Sequence, residues 1–473
     1  MRSRATGLIT LLGLALIPTP TLAAEPGALA QPPAGIVGGE PSGPCEWPSV
    51  VALQTGGLCT ATLVHPRVIV YAAHCGTLHT RALFGETVRS PARELPILRC
   101  ERNSELFAVS SEDYAYCELA EPVEDVAITP LLFGCDEALI EIGTPVTIVG
   151  FGDTTTAEPE QVGSKHAAAA AVVGYLSTVG IGGMGVGADA GDSGGPALVQ
   201  LDDGSWRVLG IVSGGGGDGA TVQYVPAPKT VAWIEERSNI DITPCHDGDG
   251  SWAPTPACEG MFVSVDPGAS WAAGCPGPSS PPSQRCGPAW TELEPDDEPP
   301  SVTILEPLDG TMFDGEQIEL EVIGEADDLP HGSAGVARVR LLVDGAPWLD
   351  ELGREAVDEV PPYRFEGVRL EAAGPHAITL VAIDHFGNVG EATATIVLVS
   401  PSDDETDETD VGTDGTDTGE ESGETDPAGD PPSSTCACTS RRPQADESLA
   451  FVLMAALGLG SRRRSRAAIQ RRR

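Results

Sequence analysis

Ser193 stands in Gly191-Asp192-Ser193-Gly194-Gly195-Pro196, a run too rich in glycine for a helix or an inner strand. It reads as a tight loop that exposes one hydroxyl. A serine hydroxyl is a weak nucleophile at its free pKa. It needs a neighbouring base to take its proton and N–H donors to hold the oxyanion that forms. Glycines on both sides would let a substrate carbonyl approach the backbone N–H groups of Gly191 and Ser193. A base and an orienting acid are available upstream. His74 lies in Tyr71-Ala72-Ala73-His74-Cys75, directly after the apolar run Val68-Ile69-Val70. Asp113 opens Asp113-Tyr114-Ala115-Tyr116-Cys117-Glu118-Leu119. Glu112 and Asp125 are neighbouring carboxylates, but Asp113 alone leads into a strand-like apolar alternation. The chemistry this set could perform is acyl transfer: Ser193 attacks, His74 acts as base and then acid, and Asp113 holds the imidazole tautomer. His65, His79 and His166 have no comparable context and are expected at the surface.

The elements that must position these residues are strands. Alternation predicts them over 49–53, 59–64 and 67–71, the last running into His74. Further strands are expected over 145–149, 197–201 and 206–212, the last two joined through Asp202-Asp203-Gly204. The small-residue run 167–171 has helical propensity, yet its place between strands predicts a strand imposed by tertiary context.

The order His, Asp, Ser, together with Ile36-Val37-Gly38-Gly39, Ala72-Ala73-His74-Cys75, Asp113-Tyr114-Ala115 and the loop at Ser193, resembles the chymotrypsin/trypsin family of serine endopeptidases. The resemblance covers residues 36–240. It implies an all-β fold, a double six-stranded β-barrel, with protein or peptide substrates and neither cofactor nor metal. Gly150-Phe151-Gly152 resembles the start of the second barrel, and 229–237 the closing helix. The resemblance also implies a zymogen cut between Gly35 and Ile36, whose new α-amine pairs with Asp192 as a buried ion pair. With Gly before the cut, the activating protease is not expected to be trypsin-like. A Cys59–Cys75 disulfide would close the loop carrying His74, and Ser213-Gly214-Gly215 would pair with substrate as an added strand. The specificity pocket implied is Gly187, Ser213, Gly215 and Val222. The chain departs from the family pattern at three places. Asp189 stands where a cysteine is usual, no other cysteine lies between Cys135 and Cys245, and Gly214 replaces the usual aromatic. Gly187 offers no charge to a basic side chain and Val222 would shorten the pocket, which predicts small or medium apolar residues before the scissile bond.

The remaining half of the chain places this unit in a cellular setting. The 473 residues allow two to four domains. A net charge of −43 excludes nucleic acid as a partner, since phosphate binding needs basic patches. Twelve cysteines suit an oxidising compartment. Arg2 and Arg4, the apolar run 8–17 and Thr21-Leu22-Ala23 form a secretory signal peptide over 1–23, followed by a propeptide over 24–35. Cys45, Cys100, Cys117 and Cys135 remain within 36–240, where four cysteines allow three pairings. Residues 241–298 read as a Cys/Pro/Gly-rich linker stapled by Cys245, Cys258, Cys275 and Cys286. Strand-like runs over 299–400, ending in Ile383-Asp384-His385-Phe386-Gly387-Asn388, resemble a bacterial Ig-like β-sandwich. Residues 401–435, acidic and without Lys or Arg, form a disordered tether. Residues 436–473 combine Cys436-Ala437-Cys438, a short apolar run and an arginine cluster. They resemble a MYXO-CTERM sorting tail, which implies sorting or anchoring machinery and attachment to the outer cell surface. The expected function is therefore a secreted, surface-displayed serine endopeptidase. The alternative is a catalytically silent binding protein acting through the Ig-like module.

Overall fold

Strands dominate the computed structural model, which describes residues 36–104, 110–152, 162–215, 219–258, 260–261, 270–275, 279–280, 286–293, 297–328 and 335–400. The expected signal peptide, propeptide, acidic tether and C-terminal tail lie outside the described residues. Strands β1 (Val50–Gln54), β2 (Leu58–His65), β3 (Val68–Tyr71), β4 (Arg81–Phe84), β5 (Arg93–Arg102) and β6 (Ala115–Leu119) close into a barrel in the order β1-β2-β3-β6-β5-β4. Closure leaves no free edge and encloses Val51, Leu53, Leu63, Ile69, Ala82, Phe84 and Leu119.

A second set of strands follows: β7 (Pro145–Gly150), β8 (His166–Tyr175), β9 (Val179–Gly182), β10 (Pro196–Gln200), β11 (Trp206–Gly215) and β12 (Thr221–Pro226). They close in the order β10-β7-β8-β9-β12-β11, with β11 paired back to β10. The alanine run of β8 is a strand as expected. Its residues lie opposite β7 in continuous register from Gly150↔His166 to Pro145↔Ala171. The chain closes this unit with a 3-10 turn, Ala227–Thr230, and helix α1 (Val231–Ser238), which buries Val231 and Ile234. A shared apolar layer with Val50, Val70, Tyr116, Val149, Leu198, Ile211 and Ile234 draws on both barrels and seals the seam between them.

The cysteines connect more distant parts than sequence spacing suggests. Cys59–Cys75 forms, and Cys100–Cys117 joins residues directly opposite on β5 and β6. Cys245–Cys258 closes a short loop within the linker. Cys45 and Cys135, however, pair with Cys275 and Cys286. Of the four cysteines left in the barrels, Cys100 and Cys117 therefore pair with each other while Cys45 and Cys135 do not, and the linker is bolted to the barrels at two points.

Beyond the linker, β13 (Ser301–Glu306), β15 (Gln317–Asp327) and β17 (Tyr363–Glu371) form one sheet. Strand β14 (Met312–Asp314), parallel to β19 (Val389–Val399), joins β18 (Gly374–Asp384) and β16 (Val336–Val343) in a second. Inward residues of both sheets, among them Val322, Val339, Tyr363, Leu380 and Ile396, share one core. That is the arrangement of a β-sandwich. It meets the barrels directly, since Arg354 pairs with Glu118 at 2.9 Å and the Glu359 N–H donates to the Asn239 carbonyl.

Candidate active site

The imidazole of His74 is set by a short turn at the end of β3. Ala73–Cys75 forms one 3-10 turn, pinned by the Cys59–Cys75 disulfide and by the Tyr71 hydroxyl donating to the Gly76 carbonyl at 2.8 Å. The ring stays partly open to solvent, while Asp113 is 3% exposed. Asp113 enters from the turn before β6. Its Oδ2 lies 2.6 Å from His74 Nδ1, and its Oδ1 accepts the His74 backbone N–H at 2.9 Å. Two contacts to one residue fix both the ring's direction and the turn that bears it. Glu112 and Asp125 lie elsewhere. Glu112 pairs with Lys229 and Asn103, and Asp125 with Arg93.

Ser193 comes from the other barrel, in the loop before β10. Its backbone carbonyl accepts the Thr60 N–H at 2.9 Å. The Thr60 hydroxyl donates to the Gly191 carbonyl at 3.0 Å and accepts the Phe151 N–H at 3.1 Å. A first-barrel residue thus straps the serine loop to the second barrel. Neighbouring N–H groups are engaged: Asp192 donates to the Asp189 carbonyl, Gly194 to Val212 and Gly195 to Asp192. The N–H groups of Gly191 and Ser193 donate to no protein acceptor among the described residues. Gly191 has φ +97°, and a Cβ there would come within 2.8 Å of the Gly152 Cα. Only glycine fits, and the result is a pair of N–H groups available to a developing oxyanion.

Asp192 and Ile36, the expected activation pair, are both fully buried. The Asp192 carboxylate accepts the Gly152 N–H at 2.7 Å and the Asp189 N–H at 3.0 Å. It fills space that a side chain at 150 would need, because a Cβ on Gly150 would fall 2.0 Å from Oδ1. Ile36 packs in the second-barrel core, and Val37 exchanges both backbone hydrogen bonds with Gly187.

A cavity of about 310 Å³ opens beside Ser193, lined by Ala188, Asp189, Ala190, Val212, Gly214 and Gly215. Of the four pocket residues expected from sequence, Gly215 lines it. Ser213 is turned away, its hydroxyl donating to Asp113 Oδ2 at 2.7 Å. Gly187 and Val222 do not line it. A Cβ on Gly187 would touch Val222 Cγ2 at 3.4 Å and press on the Ala220 carbonyl at 2.7 Å. Sequence reasoning missed the role of Thr60, which carries no local signal beyond its place next to Cys59. It also placed His79 and His166 at the surface, whereas both are buried. His79 packs edge-on against Tyr71, and His166 starts β8 with Nδ1 2.9 Å from the Ser164 carbonyl. Burial holds both rings below the ordinary histidine pKa.

The sequence has counterparts among known proteins. The family model described as Trypsin matches residues 36–234. Chymotrypsin-C of Rattus norvegicus is 30% identical over 245 residues, covering 43% of this chain and 89% of that protein. Chymotrypsin-C of Bos taurus is 31% identical over 247 residues, covering 44% of this chain and 90% of its own length. The Mus musculus protein of the same name is 30% identical over 247 residues, again with 44% of this chain and 90% of that protein covered.

Proposed function

The chain belongs to the trypsin family and is a serine endopeptidase acting on protein or peptide substrates, and on that premise we propose that it is a secreted, surface-displayed enzyme made as a zymogen. The observation that carries the catalytic assignment is the 2.6 Å contact of His74 with a buried Asp113, on the barrel facing the Ser193 loop. In this reading His74 Nε2 takes the Ser193 proton as Oγ attacks the scissile carbonyl, and the oxyanion settles against the Gly191 and Ser193 N–H groups. Asp113 keeps the Nδ1 proton in place and stabilises the imidazolium. His74 then returns the proton to the leaving amine, and water repeats the sequence on the acyl-enzyme. Val222 next to an uncharged Gly187 supports a preference for small or medium apolar residues before the scissile bond.

Activation by cleavage between Gly35 and Ile36 would create the amine that joins Asp192. The burial of Ile36 and Asp192 supports this order of events. The N-terminal apolar run and five disulfides among the described residues support secretion into an oxidising compartment. The C-terminal Cys436-Ala437-Cys438, apolar run and arginine cluster support surface attachment by a sorting machinery, with the Ig-like sandwich as spacer. The test is labelling of protein beginning at Ile36 with a fluorophosphonate. We expect wild type to label and Ser193→Ala not to. Labelling that persists in Ser193→Ala would remove the assignment.

A further inference from the structure

Four side chains of metal-ligating type meet at one of the two points where the linker is bolted to the barrels. Cys135 and Asp136 stand on the 3-10 turn Gly134–Leu139, His246 follows α1, and Cys286 lies late in the linker. The two Sγ atoms, a ring nitrogen of His246 and a carboxylate oxygen of Asp136 all lie within 4.8 Å of one another. Cys135 Sγ is 3.8 Å from His246 Nε2, and Cys286 Sγ is 3.7 Å from Asp136 Oδ1. A tetrahedral zinc ion, with bonds of about 2.3 Å to sulfur and about 2.1 Å to nitrogen or oxygen, sets such mixed pairs about 3.6 Å apart. Both mixed pairs already stand near that spacing. Only the two sulfurs, joined as a disulfide, would have to part, to about 3.8 Å.

A disulfide by itself gives no reason for an imidazole and a carboxylate beside it. His246 and Asp136 are both buried, and packing aims the ring. His246 lies edge-on to Phe133 and to Trp252. Gly134 makes room for it, since a Cβ there would fall 2.4 Å from His246 Cδ2. Trp252 Nε1 donates to the Pro288 carbonyl at 2.9 Å, which ties the ring's neighbour to the chain just after Cys286. Charge permits an exchange of metal for disulfide. Two thiolates and a divalent cation sum to zero, as a disulfide does, so buried Arg207 keeps the same balance with Asp136. Access singles out this bridge. Among the cysteines of the five disulfides Cys135 alone is exposed, and thiol exchange needs a sulfur within reach.

We propose that Cys135, Asp136, His246 and Cys286 form a zinc site that exchanges with the Cys135–Cys286 disulfide, so that the linker is held by the disulfide in oxidised protein and by the metal in reduced protein. The exchange balances. Two molecules of a small thiol give two electrons and two protons to the protein disulfide and leave as their own disulfide. Zinc then binds both cysteine sulfurs as thiolates, and two protons pass to solvent. The test uses the chain beginning at Ile36 with Cys436→Ser and Cys438→Ser, so that only bridged cysteines remain. It is treated with glutathione, desalted without oxygen and titrated with cobalt(II), whose thiolate charge-transfer absorption reports sulfur ligands and ignores the acidic tether. We expect alkylation and peptide mapping to find Cys135 and Cys286 as the freed thiols. The reduced protein should gain the absorption at one cobalt per chain and lose it to added zinc, and the oxidised protein should never show it. His246→Gln and Asp136→Asn should each weaken cobalt binding about tenfold or more. Closure of all five bridges in the oxidised variants shows that they fold; should one variant fail this, the other and the unaltered ligand set decide. Glutathione that frees other cysteines instead, absence of the thiolate absorption after reduction, or unchanged affinity in a folded variant overturns the proposal.

Discussion

Ser213 shows how one side chain can be assigned to the wrong surface when only its neighbours in sequence are known. Its place before Gly214-Gly215 points to the substrate, yet its hydroxyl donates to Asp113 Oδ2, the same oxygen that meets His74 Nδ1. A buried carboxylate needs hydrogen-bond donors for its oxygens, and here the histidine ring, a backbone N–H and this hydroxyl provide them. Removing one donor loosens the orientation of the imidazole without touching the pocket. Ser213→Ala should therefore lower kcat about tenfold, roughly 1.4 kcal/mol, and leave KM within about twofold. Steady-state kinetics on one peptide checks the split. A change confined to KM would return Ser213 to the substrate side.

At the scale of elements, strand positions were legible because each barrel strand buries one face and alternates. The runs expected at 49–53, 67–71 and 206–212 became Val50–Gln54, Val68–Tyr71 and Trp206–Gly215. The residues of the candidate site were legible too, because a nucleophile, base and oxyanion loop need particular residue types with local signatures. What sequence could not show depends on packing between elements. Cys45 finds Cys275 across 230 residues, and Asp189 enters a cavity wall only after two loops meet. Thr60 is the sharpest case, since it belongs to β2 but its hydroxyl serves Gly191 and Phe151 on the other barrel. Thr60→Val keeps the volume and leaves a half-buried carbonyl and a buried N–H without that partner. The expected cost is about 2 kcal/mol of stability, read as a lower denaturant midpoint, with a fall in kcat because Gly191 holds one oxyanion donor. Unchanged stability and unchanged kcat together would mean that the strap is idle.

Over the whole molecule, the junction between α1 with its following turn and the sandwich gathers acids rather than ion pairs. Burial pushes Glu235 up to about 8, with Asp241 adding to it, and Asp241 itself up to about 6. On the sandwich side, burial pushes Asp358 up to about 7, while burial and then Asp241 push Glu359 up to about 7. Arg67 and Arg338 act against this at Glu359, and Arg364 at Asp358, without cancelling it. The two sides touch where the Glu359 N–H donates to the Asn239 carbonyl at 3.1 Å. All four groups sit above the ordinary carboxylate range when folded, so at these four positions the native state holds more protons than the unfolded chain between about pH 4 and 8. Their stabilisation is complete below the unfolded values and is lost as pH rises through the folded ones. The contribution of these four groups should thus fall from pH 5 to pH 8, opposite to that of salt-bridged carboxylates, while His65, His246 and His385, which burial holds down at about 4, act the other way below about pH 6.5. Glu359→Gln removes one of these protons and should flatten the slope by up to about 1.4 kcal/mol per pH unit near pH 6. Denaturant midpoints of the two proteins at half-unit steps measure it. Parallel curves would show that Glu359 titrates alike in the folded and unfolded states, and that the junction tolerates its charge.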